Sequence, residues 1–381
     1  MADYTQNTKA NLPHLSQSYS SVFDQHPIYS QMGGWVCDEN TAELKYKLDK
    51  LDWSKKADGS PSNLDGTDGD VMVKVPAFFI KVTRMPNGKP KFEIDDIIPD
   101  EFGSNGKPGF FVHPAFKMSN GKVRPYFLWG AYKGFEKSGK LRSISGVLPT
   151  VSKTKGAFQD LARQGRSTDY GISAVFERAA IQLLFYAEFG TLDCQEACGR
   201  GIVDMTWEEG LTTNPDIRKT GSSNSLGDRS GYVDSGNGNG KSSIRYRGIE
   251  DLWGNVYEFL SGIMVTDKGW HYTNEHSIMD TISSMKLYAK DLTSKVPNGY
   301  ITDMEFPVGL EWTFIPKTTG GTGNTYYCDY LYSHDSGEEN IVLAGGHWIC
   351  ASHAGLAYWV CDYVASDANS DIGARLSYAQ Q

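Results

Sequence analysis

Two histidines, His347 and His353, stand six residues apart near the end of this chain, with Asp362, Asp367 and Asp371 after them and Cys350 and Cys361 interspersed. Imidazole, thiolate and carboxylate are metal-ligating side chains, and they could act as such here if the loops converge. On an exposed face the same residues would contact a ligand instead, and that is the expectation. Cys194 and Cys198 could share one side of a helix end, but no second Cys/His pair at metal spacing accompanies them. Buried free thiols are therefore expected at these positions. The chain contains no H-E-x-x-H and no G-x-S-x-G, so no catalytic residue is assigned.

The window around those residues uses a restricted alphabet. From His347 to Asp371 there is no Lys, Glu, Gln or Met, although all four are used freely elsewhere. Apart from Trp348 and Trp359, every residue type present is reachable from an AAC codon by substitution at its adenines, or is a small spacer. Core packing would not impose that alphabet, whereas adenine-directed mutagenesis of a template would. Fixed-looking motifs frame and interrupt the window: Ala344-Gly345-Gly346 with Trp348, then Ala354-Gly355-Leu356, then Ile372-Gly373-Ala374-Arg375-Leu376-Ser377-Tyr378. In these features the chain resembles the variable proteins of diversity-generating retroelements, especially those of gut bacteriophages, whose C-terminal segment is hypermutated to change what the protein binds.

That resemblance implies a variable ligand-binding region over 344–378. A site that tolerates rewriting needs a backbone independent of its changing side chains. Tyr and Trp supply contact area at low entropic cost, and Ser, Asp and Asn supply adaptable hydrogen bonds. The expected exposed contacts are His347, Ile349, Cys350, Ser352, His353, Tyr358, Val360, Cys361, Asp362, Tyr363, Asp367, Ser370 and Asp371. Trp359, Tyr358 and Tyr363 are the expected anchors, because aromatics dominate interface hot spots. On this reading, replacing Tyr358 and Tyr363 with Ala abolishes binding and leaves the melting temperature nearly unchanged. Gly254, Asn255, Gly345, Gly346, Trp348, Gly373 and Arg375 are the expected scaffold.

A second constellation, Asp251-Leu252-Trp253-Gly254-Asn255-Val256-Tyr257-Glu258-Phe259, resembles the D-x-x-G-N-V-W-E-W signature of formylglycine-generating-enzyme-like domains, a branch of the C-type lectin fold. Gly254 permits a tight turn and Asn255 can bond local backbone. The order of elements agrees over about 70–381, which implies an α+β fold, loop-rich, with short strands and two main helices. In the enzymes of that family two cysteines after the Gly-Gly strand bind copper. Here Cys350 falls on the first position, Gly355 on the second, and Cys361 outside the spacing. One thiol cannot supply a two-thiolate site, so the chain is not expected to be an enzyme or to carry a resident metal. The resemblance allows calcium as a cofactor and assigns it no ligands.

The elements that must position these residues follow from pattern and composition. The chain has 381 residues, 41 of them Gly, and a formal charge of −9 without a basic stripe, which argues against nucleic acid. No run of about 20 apolar residues could span a membrane. The first residues lack the basic and apolar regions of a signal peptide. Cytoplasmic synthesis followed by assembly into a virion tail is the expectation. The partners would be a host surface protein or glycan and other tail proteins.

Residues 1–69 read as a small N-terminal segment for attachment or packing, with short strands at Ile28–Tyr29, 33–37 and 44–48. The domain proper spans 70–381. Asp58-Gly59, Asp65-Gly66 and Asp68-Gly69 read as turns, not a calcium loop. Val71–Val82 reads as strand, paired through an Asn87-Gly88 turn with a strand near Lys91–Ile94. Val112–Lys117 and Tyr126–Tyr132 continue the β character. Helices are expected over Gly156–Gln164 and, capped by Ser173 and stopped by Gly190, over the Phe176–Ala187 stripe. The Gly/Ser/Asn-rich 219–243 stretch reads as an exposed, flexible insertion. A fixed structural tail or baseplate protein is the alternative function.

Overall fold

The apolar run from Val71 forms strand, but Pro76 divides it into two. Proline has no amide to continue a ladder, and the chain turns there, with Ala77 donating its N–H to Pro125 O at 2.9 Å. Asp70–Pro76 enters one sheet, while Phe79–Arg84 enters another as a hairpin with Pro90–Ile94. The structure, a computed structural model, describes residues 23–84, 90–210, 218–234, 236–274, 281–307, 310 and 312–381. The Asn87-Gly88 turn lies outside them.

The described chain is rich in strands and loops. A six-stranded antiparallel sheet runs in the order Tyr170–Ile172, Leu376–Tyr378, Tyr126–Gly130, Asp70–Pro76, Gly33–Cys37, Leu44–Lys47. Residues 33–47 thus extend the same sheet that receives the last strand of the chain. The larger sheet runs Lys286–Ala289, Gly269–Tyr272, Tyr257–Thr266, Asn340–Ala344, Trp359–Val364, Tyr330–Tyr332, Gly299–Glu305, Ile315–Thr319. Ile372–Gly373 pairs in parallel with Tyr257 and Glu258.

Helix Lys155–Arg163 is capped by Thr154 Oγ1, which accepts from Ala157 N. Helix Val175–Phe189 is buried on nearly every side and ends at Gly190, whose φ of 68° is left-handed. Its N-cap is Ala174 and not Ser173, because the Ser173 hydroxyl is committed to the Glu258 carboxylate at 3.1 Å.

Three local expectations fail for stated reasons. Ile28–Tyr29 is not strand; a short 3-10 turn covers Tyr29–Gln31. After the two-residue strand Phe111–Val112, Pro114 starts a 3-10 turn capped by His113 Nδ1, which accepts from Ala115 N at 3.2 Å. The 219–243 stretch is not an exposed loop over its first half. Asp228 Oδ1 accepts from Gly34 N and Trp53 Nε1, each at 3.0 Å, and Glu250 accepts from Gly221 N and Ser223 N. The Asp-Gly turns hold: the Asp58 and Asp65 carboxylates accept from the amides two residues on, Ser60 and Thr67.

Two large apolar cores meet on the Trp359–Val364 strand. Trp359 and Cys361 belong to the core that contains Val73, Trp129, Leu184 and Trp253, while Tyr358 and Val360 belong to the one that contains Met72, Leu128, Phe259 and Leu376. Successive strand residues point to opposite faces. Both faces are covered over Trp359–Cys361, so that half of the strand is interior, while Asp362–Val364 are half-buried. Among the described residues no helix is long and apolar enough to cross a membrane.

Candidate ligand-binding face

The segment between Ala344 and Trp359 leaves the large sheet, reaches the surface at Ile349 and at Ala351–His353, and returns to it. Gly346 opens the crossing with φ 82°, and a Cβ there would stand 2.6 Å from Ala354 Cβ, so the two limbs approach too closely for any side chain. The backbone of the crossing is held from outside. Trp348 O accepts from Met205 N at 2.8 Å, and Ala351 N donates to Val203 O at 2.9 Å. Gln195 Nε2 donates to Ala351 O and Ala354 O, each at 2.8 Å. Leu356 N meets Cys194 Sγ at 3.3 Å, Leu356 O meets Arg178 Nη2 at 3.3 Å, and Ala357 N donates to Asp329 Oδ2 at 2.7 Å.

On this held backbone the expected contact residues separate into two groups. Ile349 is exposed, and Ser352, His353, Asp362, Tyr363, Asp367 and Ser370 are half-buried. His347, Cys350, Tyr358, Trp359, Val360, Cys361 and Asp371 are buried, contrary to the expected exposure. Tyr358 stacks on Tyr257 with the two hydroxyls 2.8 Å apart, and Trp359 sets its edge against Trp270 at 5.4 Å. Their place on an interior strand is the cause. Two of the three expected anchors, Tyr358 and Trp359, are therefore core residues.

The buried group carries little charge chemistry. Burial pushes the His347 imidazole down to about 4, leaving it neutral at pH 7, with Nε2 3.8 Å from Asp371 Oδ2. Burial raises the Cys350 thiol, whose sulfur accepts the His347 N–H at 3.2 Å, and it raises Cys361 further. Such thiols are poor nucleophiles and poor ligands in that protonated state. All six cysteines are free and buried. At Gly355, where the resemblance drawn from the sequence would put a second cysteine, a Cβ would fall 2.0 Å from Asp329 Oδ1. Among the described residues no group of three or more His, Cys, Asp or Glu could hold a metal.

The scaffold residues bind the frame together. Gly345 and Gly254 both have positive φ, and Trp348 is buried with Ile202, Met205 and Val256. Asn255 has φ 67° and donates to Asp251 Oδ2 at 3.1 Å and Arg218 O at 3.2 Å. Gly373 lies opposite Glu258 in the parallel pair. Arg375, fully buried, reaches Glu258 Oε1 at 2.7 Å and the carbonyls of Gly130, Glu250 and Asp251.

Three tyrosines outside the window join its surface. Tyr330 stacks on His353 at 4.1 Å, Tyr300 meets His353 at 5.2 Å with its hydroxyl 2.6 Å from Ser352 Oγ, and Tyr332 lies 4.8 Å from Tyr330. All three are half-buried. The Tyr-x-Tyr alternation at 330–332 puts both rings on one strand face and was the signal that could have found them. Tyr300 lies distant in sequence and carries no such mark.

No family model matches this chain, and no curated protein matches it. Among solved structures it is similar to Treponema denticola variable protein 1, at 12% identity over 82% of this chain and 96% of that one, with a TM-score of 0.23. A likeness of that size carries no argument about fold or function.

Proposed function

We propose that this chain is a hypervariable ligand-binding protein of the C-type lectin fold, in its formylglycine-generating-enzyme-like branch. Its face around 349–353 and 362–370 would be diversified by a retroelement and displayed on a phage tail to bind a host surface molecule. It acts by recognition and not by catalysis. One observation carries the reading: the backbone from Trp348 to Ala357 is held by Gln195, Cys194, Val203, Met205, Arg178 and Asp329, all outside the restricted window. Side chains at Ile349, Ser352 and His353 can then change while the loop keeps its course, which is the property a rewritable site needs. The fold assignment is supported by the pairing of the Asp251–Phe259 and Ile372–Tyr378 motifs, which meet through Tyr257–Ile372 and Glu258–Gly373.

The burial of Tyr358, Trp359, Val360 and Cys361 favours a second reading, a fixed structural tail or baseplate protein. Deep sequencing of the 3′ end of the gene across its source population separates the two. Diversification predicts substitutions at template adenines, dense at Ile349, Ser352, His353, Asp362, Tyr363, Asp367 and Ser370 and sparse from Tyr358 to Cys361. A uniform 347–371 segment would leave the structural reading standing.

A further inference from the structure

We infer that the partner of this face is a protein segment presenting arginine, seated on the rings of Tyr300, Tyr330 and Tyr332 beside Asp362. The inference rests on the ligand-binding reading and adds the chemistry of the ligand.

The occupant is chosen by charge. From Thr318 to Ala374 the chain contains no Lys or Arg, although 37 of its 381 residues are basic, about one in ten. Over the same stretch it carries seven Asp or Glu. Asp329 among them is interior, but Asp335 is exposed and Asp362 and Asp367 are half-buried. The AAC-derived alphabet includes arginine through CGC, so its absence from the window is not a limit of the codon.

The rings and the acids share one place. Tyr332 lies opposite Val360 in the parallel pair, and Asp362 follows two residues on. Asp362 is half-buried, and among the described residues no cation forms an ion pair with it, so its charge is left for a partner to meet. Lys295 pairs with Asp335 at 3.5 Å and reaches Asp362 only as a more distant charge. His353, within the ring cluster, is held toward its neutral form by burial and brings no positive charge of its own at neutral pH.

Aromatic faces carry negative potential and attract cations held over them. A guanidinium can stack on a tyrosine and direct paired donors at a carboxylate in the same approach, which an ammonium cannot match. A neutral sugar would use the rings but gain nothing from the missing basic residues. The surface as a whole therefore fits arginine better than lysine, and either better than a neutral or acidic ligand.

The test uses the full chain with octa-arginine, octa-lysine and octa-glutamate peptides and an array of neutral oligosaccharides. Binding is followed by interferometry at about 0.05 M and about 0.5 M salt, across which exposed charge pairs are progressively screened. The expected order is octa-arginine at least threefold tighter than octa-lysine and at least tenfold tighter than octa-glutamate, weakening about tenfold at the higher salt. Asp362→Asn, which preserves side-chain shape, should weaken octa-arginine severalfold, and Tyr330→Leu about tenfold, with melting temperatures recorded for both. Equal affinity for octa-arginine and octa-glutamate, or octa-arginine binding unchanged in both variants, overturns the inference. If a neutral oligosaccharide binds and His353→Ala abolishes it, the arginine partner is wrong while the ligand-binding face stands. If no probe binds, or every probe binds Asp362→Asn, Tyr330→Leu and His353→Ala as tightly as the wild type, both fall together.

Discussion

Tyr358 stands where the two apolar cores come closest to the proposed face, and its fate there is decided by burial. Its ring is fully enclosed, stacked on Tyr257, and its hydroxyl has the Tyr257 hydroxyl at 2.8 Å. Truncation to alanine would open a ring-sized cavity, a loss of about 3–5 kcal/mol. It would also leave the buried Tyr257 hydroxyl with only the Cys350 sulfur at 3.5 Å. Ile349, exposed at 42%, gives up little on truncation, within about 0.5 kcal/mol. Urea denaturation of Tyr358→Ala and Ile349→Ala should thus show a large drop for the first and almost none for the second. Equal midpoints would mean that Tyr358 is not core. This reverses the expectation from sequence that Tyr358 could be removed without thermal cost. The restricted alphabet was legible in the sequence, but an alphabet of small and aromatic residues suits an interior strand as well as a paratope. Only the cores on both faces distinguish the two, and they draw on distant parts of the chain, with Met72, Leu128 and Phe259 in one and Trp129 and Trp253 in the other.

At the scale of elements the surface crossing between Ala344 and Trp359 depends on one side chain more than any other. Gln195, on the short helix Cys194–Cys198, satisfies the carbonyls of both Ala351 and Ala354. Gln195→Leu keeps the bulk and removes both donors, which leaves two acceptors to find water or go unpaired, at about 1–3 kcal/mol. That loss should appear locally. Amide exchange at Ala351 and His353 should accelerate at least tenfold while the amides of Asn340–Ala344 keep their protection. Exchange that is unchanged at 351 and 353 would show that the loop is held by other means and would weaken the frame argument.

Several elements were legible beforehand: the β character of 71–82 and its pairing with 91–94, though not the break at Pro76, both long helices and the Asp-Gly turns, each marked by local periodicity or turn chemistry. The order of strands in the large sheet was not legible, since it joins segments a hundred residues apart. Nor was the packing of 219–234, whose Gly, Ser and Asn content reads as loop until Gly34, Trp53 and Glu250 supply its partners.

Across the whole molecule, one buried ionic cluster ties the two signature motifs to the six-stranded sheet. Burial alone would raise the Glu258 carboxyl, but Arg375 and Lys133, at 2.7 and 2.8 Å, overcome it and hold Glu258 well below the usual carboxylate range. Arg375 also donates to Gly130 O at 3.0 Å and to Glu250 O and Asp251 O at 2.8 Å, so one guanidinium spans three segments. Arg375→Met would leave a buried carboxylate with Lys133 as its remaining close cation, a loss of about 3–5 kcal/mol at pH 7. Arg375→Lys would restore the charge but not the fork of donors, and should recover only part of the loss.

The pH dependence gives a sharper readout. A carboxyl whose folded pKa is depressed contributes stability above its unfolded value of 4.5, and that contribution is lost as pH falls through the folded pKa. The wild-type protein should therefore lose the Arg375–Glu258 contribution progressively below pH 4.5, and the gap between wild type and Arg375→Met should narrow there. Asp251, pushed up to about 7 mainly by burial, works in the opposite sense, since it favours the folded state as pH falls from 7 toward 3.8. Arg375 is among the charges that hold Asp251 down, so its removal raises Asp251 further and adds to the narrowing of the gap as pH falls. Denaturation midpoints at pH 7 and pH 3.5 decide the matter. A gap that stays constant across that range would mean Arg375 stabilises through its carbonyl contacts alone, and that the ion pair between the two motifs adds nothing.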